Sequence, residues 1–188
     1  MTMKKHSWVA IALAFCVLVC AGCKPSQSPS QAAKTAEEED LGLKVQVLNY
    51  TDIPLGVVYV NGVWAGNMSS HAGGTSIAGA VGVPAKWRPG LTVEVEWQDD
   101  LLYAKDPNGL YKRQIPVEQY GVIHDGFLWL AFLPGDQVRA IPSNTSPGFP
   151  GFPDSLKYPF DACMAEPACA AKFYPERVPV HQQEKSHG

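Results

Sequence analysis

Asn61-Gly62, set between Val57-Val58-Tyr59-Val60 and Val63-Trp64, constrains the fold more than any other feature. Asn-Gly between two apolar runs marks a two-residue hairpin, because both central residues take positive φ there. Around it the chain alternates. Leu43, Val45 and Val47 alternate with Lys44 and Gln46, and Leu91, Val93, Val95 and Trp97 with Thr92, Glu94 and Glu96. A period of two turns one face of a strand inward and the other to solvent. Phe127 to Leu133 is instead a continuous apolar run, the pattern of a strand buried on both faces. Pro134-Gly135-Asp136 supplies a turn before a short strand from Val138 to Ile141. Tyr111 to Val117 is a weaker strand, and no long stretch has helical periodicity. The pattern predicts an all-β domain at residues 41–142, a β-sandwich or open barrel of about seven strands. That length closes a single core.

The flanks read differently. Lys4 and Lys5 precede an apolar run from Trp8 to Gly22, too short for the roughly 20 residues of a membrane-spanning helix. A positive start, a short apolar core and small residues before a cleavage site describe a signal peptide, expected at residues 1–22. The site Cys20-Ala21-Gly22-Cys23 resembles the bacterial lipobox, in which the cysteine thiol receives a diacylglycerol. Cys20 replaces the usual leucine, and an ordinary secretory signal cut near Ala21 is the alternative. Lipidation at Cys23 would anchor the chain in a membrane, since each buried methylene contributes about 0.8 kcal/mol. Lys24 follows, rather than the aspartate that retains many lipoproteins in the inner membrane. The expected location is therefore the outer membrane, facing the periplasm. Residues 23–40 are polar and acidic and read as a flexible tether.

The chain has five cysteines. Cys16 and Cys20 leave with the signal and Cys23 takes the lipid. Cys163 and Cys169 remain, an even pair in an oxidising compartment, so a disulfide is expected. A metal pair lacks further cysteines or nearby paired histidines. Residues 143–188 form a Pro/Gly-rich C-terminal extension. Its Phe149, Phe152 and Tyr158 are expected to pack it on the sandwich as an irregular strap, with a short helix from Asp161 to Phe173 interrupted by Pro167.

Hydrophobic residues make up 46% of the chain, which excludes a wholly disordered chain and a polytopic membrane protein. The net charge of −3 gives no reason to expect nucleic acid. Catalytic patterns are near misses. Gly74-Thr75-Ser76-Ile77-Ala78 lacks the last glycine of a nucleophile elbow and the α/β context the elbow needs. His124-Asp125 fits a surface turn. Ser69 to Gly74, with His71 inside, has glycines that suit an anion cradle but no P-loop lysine, and a flexible loop is expected there. Glu94 and Glu96 read as a solvent face. Trp97 and Trp129 are expected in the core, whereas Trp64 and Trp87 adjoin turns where an interface anchor is the alternative to packing. No catalytic residue, metal or cofactor is expected.

From Leu48 to Trp97 the chain carries Asn49-Tyr50-Thr51-Asp52, Val60-Asn61-Gly62, Trp64 with Gly66-Asn67, Gly73-Gly74, Pro84 and Trp87-Arg88-Pro89-Gly90. This combination resembles a family of small bacterial envelope lipoproteins defined by a domain of unknown function. Some members resemble immunity lipoproteins encoded beside phospholipase effectors of type VI secretion. The family often has adjacent cysteines after the glycine stretch, where Gly79 and Ala80 stand here, so any role of that pair is lost. The resemblance implies a non-enzymatic protein that binds a phospholipase effector and blocks it sterically. The contact residues expected are Asn61, Gly62, Trp64, Asn67 and His71. The alternative is a structural or assembly lipoprotein of the bacterial envelope.

Overall fold

The computed structural model describes residues 40–74 and 77–178. The expected signal peptide, Cys23, the tether before Asp40 and Ser76 lie outside these residues. Nine strands occur among the described residues, two more than expected. They are β1 (Asp40–Asn49), β2 (Leu55–Val60), β3 (Val63–Met68), β4 (Ala72–Gly73), β5 (Gly79–Pro84), β6 (Thr92–Asp99), β7 (Tyr111–Pro116), β8 (Phe127–Leu133) and β9 (Gln137–Ser143). The additions are β4 and β5, in a stretch whose glycines hide the alternation of Val81 and Val83.

The strands form two sheets. One has the order β3-β2-β6-β7, antiparallel throughout. In the other, β1 runs parallel to β8, and β8 pairs with β9. The far edge of β1 is shared: β5 pairs with its first half and β4 with Leu48 and Asn49. The inward residues of both sheets make one core, including Leu43, Val45 and Val47 of β1, Val58 and Val60 of β2, Val93, Val95 and Trp97 of β6, and Leu128, Leu130 and Phe132 of β8. The sandwich is all-β, as the alternation predicts.

The continuous apolar run of β8 has a direct cause. Leu128, Leu130 and Phe132 enter the sandwich core, while Trp129 and Ala131 point to the opposite face. There they meet a second cluster with Leu48, Tyr50, Ile141 and Phe152. The C-terminal strap covers this outer face, with Leu156, Tyr158 and Ala162 packed against the cluster. Each fully buried large apolar side chain contributes roughly 1.5–3 kcal/mol, which both faces of β8 collect. Phe149 departs from expectation: it is 62% exposed.

Three short α-helices and two 3-10 turns, Pro153–Ser155 and Pro175–Arg177, complete the described chain. α1 (Asp100–Lys105) follows β6 directly and has no buried residue. Asp99 caps it, its side chain accepting from Leu102 N at 2.7 Å. α2 (Pro159–Met164) and α3 (Pro167–Phe173) stand where one interrupted helix was expected. Pro167 begins α3 rather than breaking a longer helix, because proline's fixed φ suits the first helical position. Helices of this length are not stable alone. A Cys163–Cys169 disulfide joins them, as the cysteine count predicts. Among the described residues no helix is long and apolar enough to cross a membrane.

Candidate functional site

The expected contact residues separate onto two ends of β3. Asn61 (φ 48°) and Gly62 (φ 76°) form the tight turn between β2 and β3. Asn61 does more than turn the chain. Its backbone N–H donates to Glu94 O at 2.8 Å, and its Oδ1 accepts from Glu94 N at 2.9 Å. The turn is thereby fixed to β6 as well as to β3. Just beyond it, Val63 is 37% and Trp64 50% exposed. β5 lies close along this edge: a Cβ on Gly79 would stand 2.6 Å from Val63 Cγ1. Ile77, two residues earlier, is 52% exposed. Asn67 is exposed on β3 itself. Trp64 thus sits half-exposed on a rigid hairpin, on the opposite face of β3 from Val63. Trp87 is different, being half-buried with its indole N–H donating to Val117 O at 2.9 Å.

His71 lies past the other end of β3, in a segment that is pinned rather than flexible. Asn49 is fully buried and organises it. The Asn49 amide donates to Ile53 O at 2.9 Å and to Ser69 O at 3.1 Å, and its carbonyl accepts from Thr51 N and Thr51 Oγ1. Ser70 Oγ donates to Asp52 O at 2.8 Å. His71 itself takes a positive φ of 50° and is held from both sides. Its N–H donates to Thr51 O, and its carbonyl accepts from the Tyr174 hydroxyl at 2.8 Å. The ring packs against Phe173, tilted by 51° with centroids 4.5 Å apart, and Nε2 lies 2.7 Å from Asp52 Oδ1. Only 13% of the side chain is exposed. α3 therefore covers much of His71 and leaves little of its imidazole to solvent.

This arrangement explains the Asn49-Tyr50-Thr51-Asp52 motif. Asn49 and Thr51 build the turn. The Tyr50 hydroxyl donates to Lys157 O at 2.7 Å and so ties the strap down, and burial pushes its phenol pKa up. Asp52 binds Lys172 of α3 as well as His71. The Lys172 ammonium, then His71, holds its carboxyl below the usual carboxylate range.

A cavity of about 510 Å³ opens beside this turn at the same end of the sandwich. Leu55, Trp97, Phe132 and Val138 give it an apolar lining. Its acidic residues are already engaged: Asp52 as above, Asp99 in the α1 cap, and Asp136 with Arg113. Arg113 in turn lies over the Trp97 ring at 5.2 Å. The volume suits a small apolar group. Sequence reasoning missed this cavity, because its wall joins Tyr50–Leu55 with Phe132–Val138, segments that only the tertiary fold brings together.

The remaining near misses resolve separately. Asp125 pairs with Lys44 at 2.8 Å, and His124 N donates to Asn144 Oδ1. Glu94 and Glu96 both pair with Lys112. The sulfurs of Cys163 and Cys169 lie beside His71, all three ligand-type atoms falling within 4.8 Å of one another.

The stretch that carries the hairpin, the Asn49 turn and the cavity coincides with a known domain. Residues 48–140 match the family described as protein of unknown function (DUF3304). The DUF3304 match begins within β1 and ends within β9, so it omits the C-terminal strap and the disulfide. No curated protein and no solved structure matches the chain.

Proposed function

We propose that the protein is a lipid-anchored, periplasm-facing lipoprotein of the outer membrane that binds and inhibits a phospholipase effector of type VI secretion. The observation that carries this reading is the half-exposed Trp64 on a hairpin locked by the Asn61–Glu94 hydrogen bonds. A large aromatic side chain on a preformed turn binds a partner at low entropic cost, and tryptophan is enriched among interface residues that dominate affinity. Inhibition on this reading is steric, the hairpin face covering the enzyme's entrance. The lipobox-like Cys20-Ala21-Gly22-Cys23 would place the binder on the membrane that such an effector attacks.

The cavity favours a second contact mode, in which an apolar side chain of the partner enters between Leu55 and Val138. The two modes separate by mutation. Binding of the purified chain to the lipase-like product of the adjacent gene is measured by calorimetry. Trp64→Ala is expected to weaken it by more than tenfold, whereas Val138→Trp, which fills the cavity, leaves it unchanged. The reverse pattern moves the contact to the cavity. Absence of a lipase-like neighbour, or of any binding to it, removes the immunity reading and favours a structural or assembly lipoprotein of the envelope.

A further inference from the structure

The Cys163–Cys169 disulfide does not stand alone. His71, from the segment between β3 and β4, places an imidazole nitrogen beside both sulfurs, the three atoms lying within 4.8 Å of one another. We propose that reduction of this disulfide creates a zinc site, with Cys163, Cys169 and His71 as its protein ligands. This proposal goes beyond the binding function and does not depend on it.

The donor set and its surroundings fit that ion. Around tetrahedral zinc, with bonds of about 2.0–2.3 Å, the ligand atoms stand roughly 3.5–3.8 Å apart. The three atoms lie within 4.8 Å of one another, so the imidazole and the sulfurs need close by no more than about an ångström. The two sulfurs need only separate once their bond is broken, and side-chain rotation supplies that. Thiolate and imidazole donors select zinc over magnesium or calcium, which prefer oxygen. The imidazole is prepared for the role. Nε2 lies 2.7 Å from Asp52 Oδ1, and in the tautomer that donates there Nδ1 keeps the lone pair a metal needs. Asp52 is the carboxylate partner that orients a metal-binding histidine, and Lys172 fixes its other oxygen at 2.7 Å. Cys163 is 2% exposed, and Phe173 covers the ring, so the site is shielded. Cys169 is partly exposed and gives a reductant access. Three protein ligands leave the fourth zinc position to water.

The chemistry balances with a dithiol reductant. One reductant thiolate attacks a cysteine sulfur and its second thiol resolves the mixed disulfide, so the reductant leaves as its own disulfide. The two electrons and two protons end on Cys163 and Cys169 as thiols. Zinc then displaces both protons to solvent and binds the two thiolates. The ion joins α2 and α3 to the β3–β4 segment, replacing the covalent link that reduction removed.

The test uses the full-length chain in detergent, with Cys16, Cys20 and Cys23 replaced by serine so that only this pair can respond. It is reduced with a phosphine, which carries no thiol to compete, and titrated with Co²⁺ and then Zn²⁺. The expected result is one ion per chain, with thiolate-to-cobalt charge-transfer absorption and tetrahedral d–d bands that zinc abolishes. The oxidised chain shows neither. His71→Ala is expected to weaken zinc binding at least tenfold, and Asp52→Asn about tenfold. Should His71→Ala fail to fold, Cys169→Ser serves instead and loses the charge-transfer intensity of one thiolate. A reduced chain without those bands overturns the proposal, as does His71→Ala binding zinc as tightly as the parent.

Discussion

Asp52 and Lys172 lie 120 residues apart in the chain, yet their side chains meet at 2.7 Å. The pair fastens α3 to the turn after β1, and His71 Nε2 shares the same carboxylate. Both partners lower the pKa of Asp52, Lys172 more than His71. A carboxylate whose folded pKa lies below its unfolded value adds stability that is complete above the unfolded pKa. That stability is lost as pH falls through the folded pKa. Asp52→Asn is therefore expected to be less stable than the parent at neutral pH, with the difference shrinking below about pH 4. Denaturant midpoints at several pH values check this. A difference independent of pH removes the ion pair as its cause.

Asn49 is expected to be the most sensitive polar residue of the domain. It is fully buried, and its amide satisfies two carbonyls while its oxygen takes two donors. Asn49→Ala leaves these groups unpaired, at about 3 kcal/mol. Asn49→Asp, nearly the same shape, is also destabilising, because a carboxylate oxygen would face the carbonyls of Ile53 and Ser69. Chemical denaturation of both variants is the check, and a stable Asn49→Asp protein contradicts this account of the turn.

Gly73 admits no side chain. Its φ is 153°, and a Cβ there would stand 2.5 Å from Val47 O and 2.8 Å from Leu48 Cα. Those are backbone atoms of β1, so neither can swing aside. Gly73→Ala is expected to destabilise by at least about 2 kcal/mol, from strained φ and displaced backbone together. Gly62→Ala, which meets nothing within 4 Å among the described residues, costs less, since only its positive φ is at stake. Melting temperatures of the two variants order them.

Gln46 and Trp129 are opposed in the parallel β1–β8 ladder, beneath the strap. Among the described residues, Gln46 Oε1 and Trp129 Nε1 are both buried without a hydrogen-bond partner. Gln46→Leu removes a desolvated acceptor and adds apolar surface, so stability is expected to rise by about 1 kcal/mol. A fall in melting temperature would mean that the amide does more than fill space.

Legibility in the sequence followed the range of the interactions. Strict alternation in Leu43–Val47 and Leu91–Trp97 marks β1 and β6, because each strand reports its own two faces. Asn61-Gly62 marks the hairpin for the same local reason. The run from Phe127 to Leu133 reveals a strand covered twice, although not that residues 152–162 supply the second cover. β5 escaped because Gly79, Ala80 and Gly82 dilute its pattern, and α1 because six residues carry no helical period. Its Asp99 cap was the available signal. The surroundings of His71 had no local signature. Its neighbours Lys172, Phe173 and Tyr174 come from the far end of the chain. Nothing in Ser69–Gly74 itself distinguishes a pinned segment from a flexible loop.

The most direct measurement is lipase activity in one tube. The product of the adjacent lipase-like gene is assayed on phospholipid vesicles with increasing amounts of this protein, parent and Trp64→Ala in parallel. The proposed function predicts stoichiometric loss of activity with the parent and a right-shifted titration with Trp64→Ala. Full lipase activity in the presence of excess folded parent protein would contradict it.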